Sequence, residues 1–399
     1  MQTLLDTLLE NSTSLLSRFS IMYRRYFVER IDFSQKLVGI IGARGIGKTT
    51  AMMQHLKASD LPYDKKLYIS ADMIELADTT LFDVAKAFAQ RGGKVLAIDE
   101  IHKSPSFEKQ LKNIYDRLDI RVIFSGSSAI ELEHAQADLS RRAALYRVQG
   151  LSFREFLELK TSHRFDAYTL DALLRHHSDI AVSLLRKIKP LEYFDEYLAY
   201  GYYPFYFEHN TLFFERLEAT VNTVIEVDLP AVFSIRYEHV VKLKKLVKML
   251  CSSVPYKVNM SQLSDKTGIP RDKLYRYIDY LSRASVLQPL YAKSRGDGIF
   301  VKPEKLYLHN SNLYRALCHD ASVGTVRESF VLAMLGLSHD IRYPRVGDVE
   351  VDNKVYFEIG GRKKGYAQVK DCSDAYILAD GIEVGVGHKL PLWLLGFLY

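Results

Sequence analysis

The stretch from Lys36 to Leu56, KLVGIIGARGIGKTTAMMQHL, restricts the fold more than any other part of this sequence. A short apolar strand turns through Gly42, Gly45 and Gly47 into helix-forming residues, and Gly42 to Thr49 fits GxxxxGK[ST] without mismatch. Glycines let backbone N–H groups close around phosphate oxygens, and the helix N-terminus adds a favourable dipole. Lys48 reaches the β- and γ-phosphates, and the Thr49 hydroxyl, followed by Thr50, faces Mg²⁺. A glycine-rich turn can imitate the pattern, but a phosphate cradle needs the preceding strand and following helix that are both present here. The expectation is an α/β parallel sheet that holds ATP and Mg²⁺ at the mouth of this strand.

Two further buried strands fit the same sheet. KVLAIDEIHKS runs through four apolar residues into paired carboxylates, as a parallel strand with an acidic tip should. Asp99 there holds Mg²⁺ directly or through water, and Glu100 polarises the attacking water beside the γ-phosphate. His102 completes a DEIH string and is read as incidental. RVIFSGSSA ends in a polar cluster, Ser125 to Ser128, where Ser125 either senses the γ-phosphate or caps the next helix. Arg141 and Arg142 follow, with no local acid run. They are either solvated surface groups or fingers that stabilise transition-state charge on a neighbouring subunit's nucleotide.

With 399 residues, 48% of them hydrophobic and 26% charged, the chain is long enough for two to three folded domains and leaves no room for long disorder. Cys251, Cys318 and Cys372 are too widely spaced for a CxxC pair and odd in number for a disulfide framework. MQTLLDTLLE is acidic where a secretory signal would be basic, and no apolar run reaches the roughly 20 residues of a membrane span. A cytoplasmic chain with no membrane partner is expected. The closing LPLWLLGFLY reads as a tail docked into a core.

Taken in order, Gly42 to Thr49, IDEIHK, SGSS, Arg141 and Arg142, and LSFREF resemble the AAA+ ATPases of the archaeal and bacterial AAA_14/DUF4143 type. The similarity is strongest over about residues 35–160. It implies a P-loop AAA+ core, here 35–156, after an N-terminal helical segment, 1–34. It further implies a helical lid, 157–235, a winged-helix domain, 236–310, and a small α+β restriction-nuclease-like domain, 311–399. Within the lid, EYFDEYLAYGYYP resembles the family's YLxxGGYP element, and its tyrosines are read as packing.

The net charge of +6 is unevenly spread: Val240 to Lys305 carries 14 Lys or Arg against 5 Asp or Glu, a local field suited to a polyanion. In it, SQLSDKTGIPRDKLYRYIDYLSR reads as helix, turn and helix. Leu274, Ile278 and Leu281 share one face of the second helix, while Lys273, Arg276, Tyr280 and Arg283 share the other. A Gly-Asp-Gly turn between strand-like runs suggests a wing. Lys273, Arg276, Arg283, Lys293 and Arg295 are the expected DNA contacts, by backbone charge more than by base reading. The alternative is a winged helix used for protein packing.

Glu328 on an apolar helix, then Asp348 and Glu358 on strand-like runs, resemble the order of a PD-(D/E)XK nuclease. Such enzymes hold Mg²⁺ with two acids and orient water with a lysine two positions after the second. That position is Gly360. Lys363 and Lys364 are the nearest substitutes, and a degenerate site retained for binding is expected. Three functions follow: an oligomeric, hexameric ATPase that moves on or remodels forked or branched DNA, an ATP/ADP switch read by a protein partner, and an ATP-licensed nuclease.

Overall fold

Runs of aliphatic residues bounded by glycine or charge build a five-stranded sheet in the first of two compact units, Met1–Gln149. The computed structural model describes residues 1–21, 23–126, 139, 141–208, 211–233, 235–252, 256–293, 301–370 and 372–399. The strands are β1 (Leu37–Ile41), β2 (Lys66–Ser70), β3 (Val95–Asp99), β4 (Arg121–Gly126) and β5 (Ala144–Arg147). They lie in the order β2-β3-β4-β1-β5, all parallel. β1 and β3 are buried along their whole length, which explains their unbroken apolar sequence.

Helices α1 (Gln2–Arg18), α2 (Tyr26–Arg30), α3 (Lys48–Ala58), α4 (Leu81–Gln90) and α5 (Phe107–Arg117) belong to the same unit. Leu5 and Leu8 of α1 join the core formed by Leu67, Ile69, Val84 and Phe88, so the N-terminal helical segment is part of this unit. α4 starts at a Thr80 cap whose hydroxyl accepts from the Asp83 N–H. Register places Ile41 opposite Gly126 and Ile98 opposite Phe124. The phosphate loop, Asp99 and Ser125 therefore meet at the carboxyl ends of neighbouring strands, where open α/β sheets bind ligands.

The second unit, Gly150–Tyr399, begins with helices Phe153–Thr161, Leu170–Leu185, Pro190–Glu196 and Phe213–Thr223. Tyr197 is buried and donates to the Leu151 carbonyl, and Asn312 fastens the backbone around Tyr197, Leu198 and Tyr202. The tyrosine cluster is packing. Next come helix Tyr237–Met249, β6 (Tyr256–Lys257), helices Met260–Thr267 and Arg271–Arg283, β7 (Leu287–Leu290) and β8 (Lys305–Leu308), with an antiparallel sheet ordered β6-β8-β7. The Gly-Asp-Gly turn and Arg295 lie outside the described residues.

A mixed sheet completes the unit: β9 (Ile341–Arg342), β10 (Val349–Val351), β11 (Val355–Gly360), β12 (Ala375–Ala379) and β13 (Lys389–Pro391), in order β13-β12-β11-β10-β9. β9 to β11 pair antiparallel and β11 to β13 parallel. The apolar helix Val323–Leu335 accompanies this sheet. Leu392 to Phe397 are all buried, as expected of a docked tail. The cysteine expectation needs correction: Cys251 and Cys318 form a disulfide. The ends of helices Tyr237–Met249 and Ser311–Leu317 bring their Cα atoms to 5.1 Å, a proximity that a separation of 67 residues conceals. Among the described residues, no helix is long and apolar enough to cross a membrane.

Candidate functional site

The loop after β1 is shaped by contacts that only glycine satisfies. A Cβ at Gly42 would lie 2.4 Å from the Val148 carbonyl oxygen, and Gly45 and Gly47 adopt φ of 81° and 93°, the left-handed region that side chains disfavour. Lys48, buried at the start of α3, donates to the carbonyls of Gly42 (3.0 Å) and Ala43 (2.7 Å). Thr49 and Thr50 open the exposed first turn of that helix. Arg25, which the sequence reading passed over, donates to the carbonyls of Ile46 and Gln149, both at 2.8 Å. A guanidinium 21 residues upstream thus braces the loop.

Asp99 is the meeting point of this site. It accepts from Thr49 Oγ1 at 2.5 Å, from the Tyr68 hydroxyl at 3.0 Å, from the Glu100 N–H at 3.1 Å and from Ser125 Oγ. The Ser125 hydroxyl therefore faces Asp99. Burial, reinforced by the Asp99 carboxylate, pushes the Tyr68 phenol above its ordinary pKa, which keeps it a donor. Ser127 and Ser128 lie outside the described residues.

Glu100 leaves the strand at φ 48°, ψ 44°, a left-handed conformation that costs a non-glycine residue about 1–2 kcal/mol. That turn sends its carboxylate toward His102, whose Nε2 lies 3.3 Å from Glu100 Oε2 with the ring 1% exposed. His102, read above as incidental, is a buried neighbour of the acidic pair. Replacing it by alanine is expected to lower the ATP turnover rate roughly tenfold by releasing the carboxylate while ATP affinity stays constant. Steady-state turnover beside equilibrium nucleotide binding checks this, and equal loss in both would assign His102 to folding alone.

Arg141 and Arg142 precede β5, which runs parallel to β1 from Val38↔Ala144 to Ile41↔Arg147. They therefore sit at the end of the sheet where β1 begins, opposite the phosphate loop. Arg142 corrects the expectation of un-neutralised arginines: it forms a fork with Asp116, Nε to Oδ1 at 2.9 Å and a second nitrogen to Oδ2 at 3.1 Å. That hydrogen bond holds the Asp116 carboxyl below its usual range. Arg141 is exposed.

On helix Arg271–Arg283, Leu274, Tyr277, Ile278 and Leu281 are buried, and Lys273 and Arg276 are exposed. Arg283 is drawn back to Asp279, Nε to Oδ1 at 3.0 Å, so one expected DNA contact already has an acidic partner four residues away. Tyr280, expected to face outward, stacks on Phe233 with ring centroids 3.4 Å apart. Lys293 is exposed just beyond β7.

The three acids of the nuclease-like order are brought together with lysines. Lys305 Nζ lies 3.2 Å from Glu328 Oε2 and 3.6 Å from Asp348 Oδ1, and the Tyr307 hydroxyl donates to Glu328. Asp348 also accepts from the Ile359 N–H at 2.9 Å. Lys364 pairs with Glu358, and a Cβ at Gly360 would fall 2.7 Å from Lys364 Cγ. The turn lysine thus fills the space that a side chain at 360 would take. Burial pushes the Glu328 and Glu358 carboxyls up, opposed by Lys305 and Lys364 respectively. An ammonium group stands between Glu328 and Asp348, and among the described residues no cluster of acids, histidines or cysteines is arranged to hold a metal. The acids of the site expected to be degenerate are thus paired with lysines.

Residues 34–157 match the AAA_14 family, described as an AAA domain. Residues 191–324 match DUF8612, a domain of unknown function, rather than a model carrying the DUF4143 name. The "Uncharacterized protein MJ1637" of Methanocaldococcus jannaschii is 25% identical over 93% of this chain and 87% of its own length. The solved structure of AMPPCP-bound DnaA from Aquifex aeolicus aligns with 68% of this chain and 86% of that chain at 14% identity and a TM-score of 0.24, a likeness too loose to bear on function.

Proposed function

Since residues 34–157 form an AAA-type P-loop ATPase domain, we propose that the chain is an oligomeric ATPase coupling ATP hydrolysis to the binding and remodelling of DNA. The observation that carries the hydrolytic half is the convergence on Asp99: Thr49 from the helix after the phosphate loop, Ser125 from β4 and Tyr68 from β2. The Thr49 hydroxyl and Asp99 carboxylate are hard oxygen donors of the kind Mg²⁺ selects, and the hydrogen bond between them holds both at the mouth of the loop. When bound, Mg²⁺ neutralises charge on the phosphates. Backbone N–H groups of the Gly42 loop and Lys48 hold the phosphates, Tyr68 and Ser125 fix the Asp99 rotamer, and Glu100 orients and deprotonates the attacking water. His102 holds the Glu100 side chain in place.

Arg141 and Arg142 stand at the wrong end of the sheet for their own nucleotide, which supports a role across a subunit boundary, as in a ring-shaped hexamer. Arg142 must then exchange Asp116 for phosphate on assembly. The order helix, strand, two helices and two strands over residues 237–308 supports a winged helix, with Lys273 and Arg276 as its phosphate contacts. The mixed sheet with its lysine-neutralised acids supports a nuclease-like fold that does not cleave.

The deciding experiment measures ATP turnover with single-stranded, duplex, forked and four-way DNA at two ionic strengths. DNA-stimulated turnover that weakens as salt rises is expected, and absence of any response removes the DNA half of the reading. In the double variant Lys273→Ala, Arg276→Ala, the slope of log affinity against log salt is expected to fall by about 2, one per lost phosphate contact. An unchanged slope places the DNA on another face.

A further inference from the structure

A second concave site lies in the C-terminal unit, far in sequence from the phosphate loop. Tyr343, following β9, donates its N–H to the Tyr291 carbonyl at 2.7 Å and bridges Ala292, so the exit of β7 runs along the edge of the mixed sheet. The cavity there measures about 590 Å³ and is lined by Lys293, Tyr343, Arg345, Glu350, Asn353 and Tyr356, among others. Its size falls in the usual range for small-molecule sites.

Glu350 decides what the cavity can hold. It is 6% exposed, yet among the described residues its carboxylate accepts no hydrogen bond and makes no ion pair. Its cross-strand neighbour on β9, Arg342, is turned away to Asp340 at 2.8 Å, and its partner on β11 is Tyr356. The Glu350 oxygens open onto the cavity rather than being sealed in the protein, which leaves them free to accept from a ligand's donors. Around it stand two tyrosine rings, able to stack on a flat heterocycle, and two exposed cations, Lys293 and Arg345, that no acid among the described residues neutralises.

A flat ring with adjacent donors for a carboxylate, joined to an anion, describes one nucleobase better than the others. Guanine presents N1–H and N2–H side by side. Adenine and cytosine place an acceptor next to their amino group, and thymine and uracil flank one donor with two acceptors. We propose that this cavity binds a guanine nucleotide, with Glu350 accepting from the base edge, Tyr343 and Tyr356 stacking on the ring, and Lys293 and Arg345 holding phosphate. The nucleotide is either free or an unpaired guanine in a strand. This site is separate from the ATP site, and its occupancy does not depend on hydrolysis.

The test titrates the full chain with GMP, AMP, CMP and UMP by calorimetry, and with a labelled short oligothymidine strand with and without one central guanine by anisotropy. Guanine is expected to be preferred about tenfold or more, the discrimination a paired two-point contact gives. The preference should vanish in Glu350→Gln, which keeps the side-chain volume, and persist in Lys48→Ala. The exposed Arg345→Ala change should weaken GMP several-fold and leave guanosine unaffected. Preference in the strand alone identifies nucleic acid as the source, and preference among mononucleotides alone identifies the free nucleotide. Equal affinity for all bases, or a preference unchanged in Glu350→Gln, overturns the assignment. The Lys273→Ala, Arg276→Ala protein separates the two DNA readings: it loses duplex affinity and retains the guanine preference.

Discussion

Lys48→Ala protein is expected to lose ATP affinity by about 100-fold or more and to show no measurable turnover. Its ammonium donates to two loop carbonyls and the residue is 5% exposed, so it is positioned at the loop without having to be drawn out of bulk water. Two charge-assisted hydrogen bonds to phosphate are worth roughly 1.5–3 kcal/mol each, and about 3 kcal/mol corresponds to a factor of about 100 or slightly more. Calorimetry in magnesium buffer reads the affinity directly. Lys48→Met serves as the companion variant, because it keeps the packed stem and removes only the charge. If the methionine protein binds ATP as the native chain does, the Gly42–Thr49 loop is not a nucleotide site and the hydrolytic proposal falls with it.

Glu100→Gln separates binding from chemistry. Glutamine keeps the size and the left-handed turn but cannot take a proton, so turnover is expected to fall by about 10²–10⁴-fold, while ATP affinity stays within about threefold of native. The carboxylate is the residue beside Asp99 that is not committed to the Thr49, Tyr68 and Ser125 hydroxyls. The variant should accumulate with ATP bound, which also makes it the right form in which to measure assembly and DNA affinity. Single-turnover hydrolysis with labelled ATP reads the loss, and a variant that turns over at the native rate would assign the base elsewhere.

The phosphate loop was legible because every one of its residues lies within one short window: glycines, lysine and threonine act through local backbone geometry. Asp99 and Glu100 were legible for the same reason, as the acidic tip of an apolar strand. What surrounds them was not. Tyr68 and Ser125 reach Asp99 across β2 and β4, and strand order is a property of the whole chain that no local pattern carries. Arg142 meets an acid 26 residues away at the end of another helix, and Cys251 meets Cys318 across 67 residues. The helix faces near Lys273 followed from 3.6-residue periodicity, yet periodicity cannot foresee that Phe233 covers Tyr280. Gly360 shows a further limit. The spacing rule asks for a lysine side chain in line, whereas the fold delivers one from four residues onward, over a glycine whose missing Cβ makes the passage possible. Glu350 stood in the sequence as one acid among several in VGDVEVD. Only its burial beside a cavity, with Arg342 engaged elsewhere, sets it apart.

The crowding at Asp99 has a directional consequence. A carboxylate offers about four acceptor positions, and here four donors already claim them, so Asp99 would hold a divalent ion only by giving up one of these bonds. Tyr68 and Ser125 are anchored in strands and cannot follow, whereas the Thr49 hydroxyl belongs to a helix end and can rotate to become a ligand itself. If Mg²⁺ binds as proposed, the one latch between helix and sheet would be the contact to loosen, with the sheet's own cross-links left fastened.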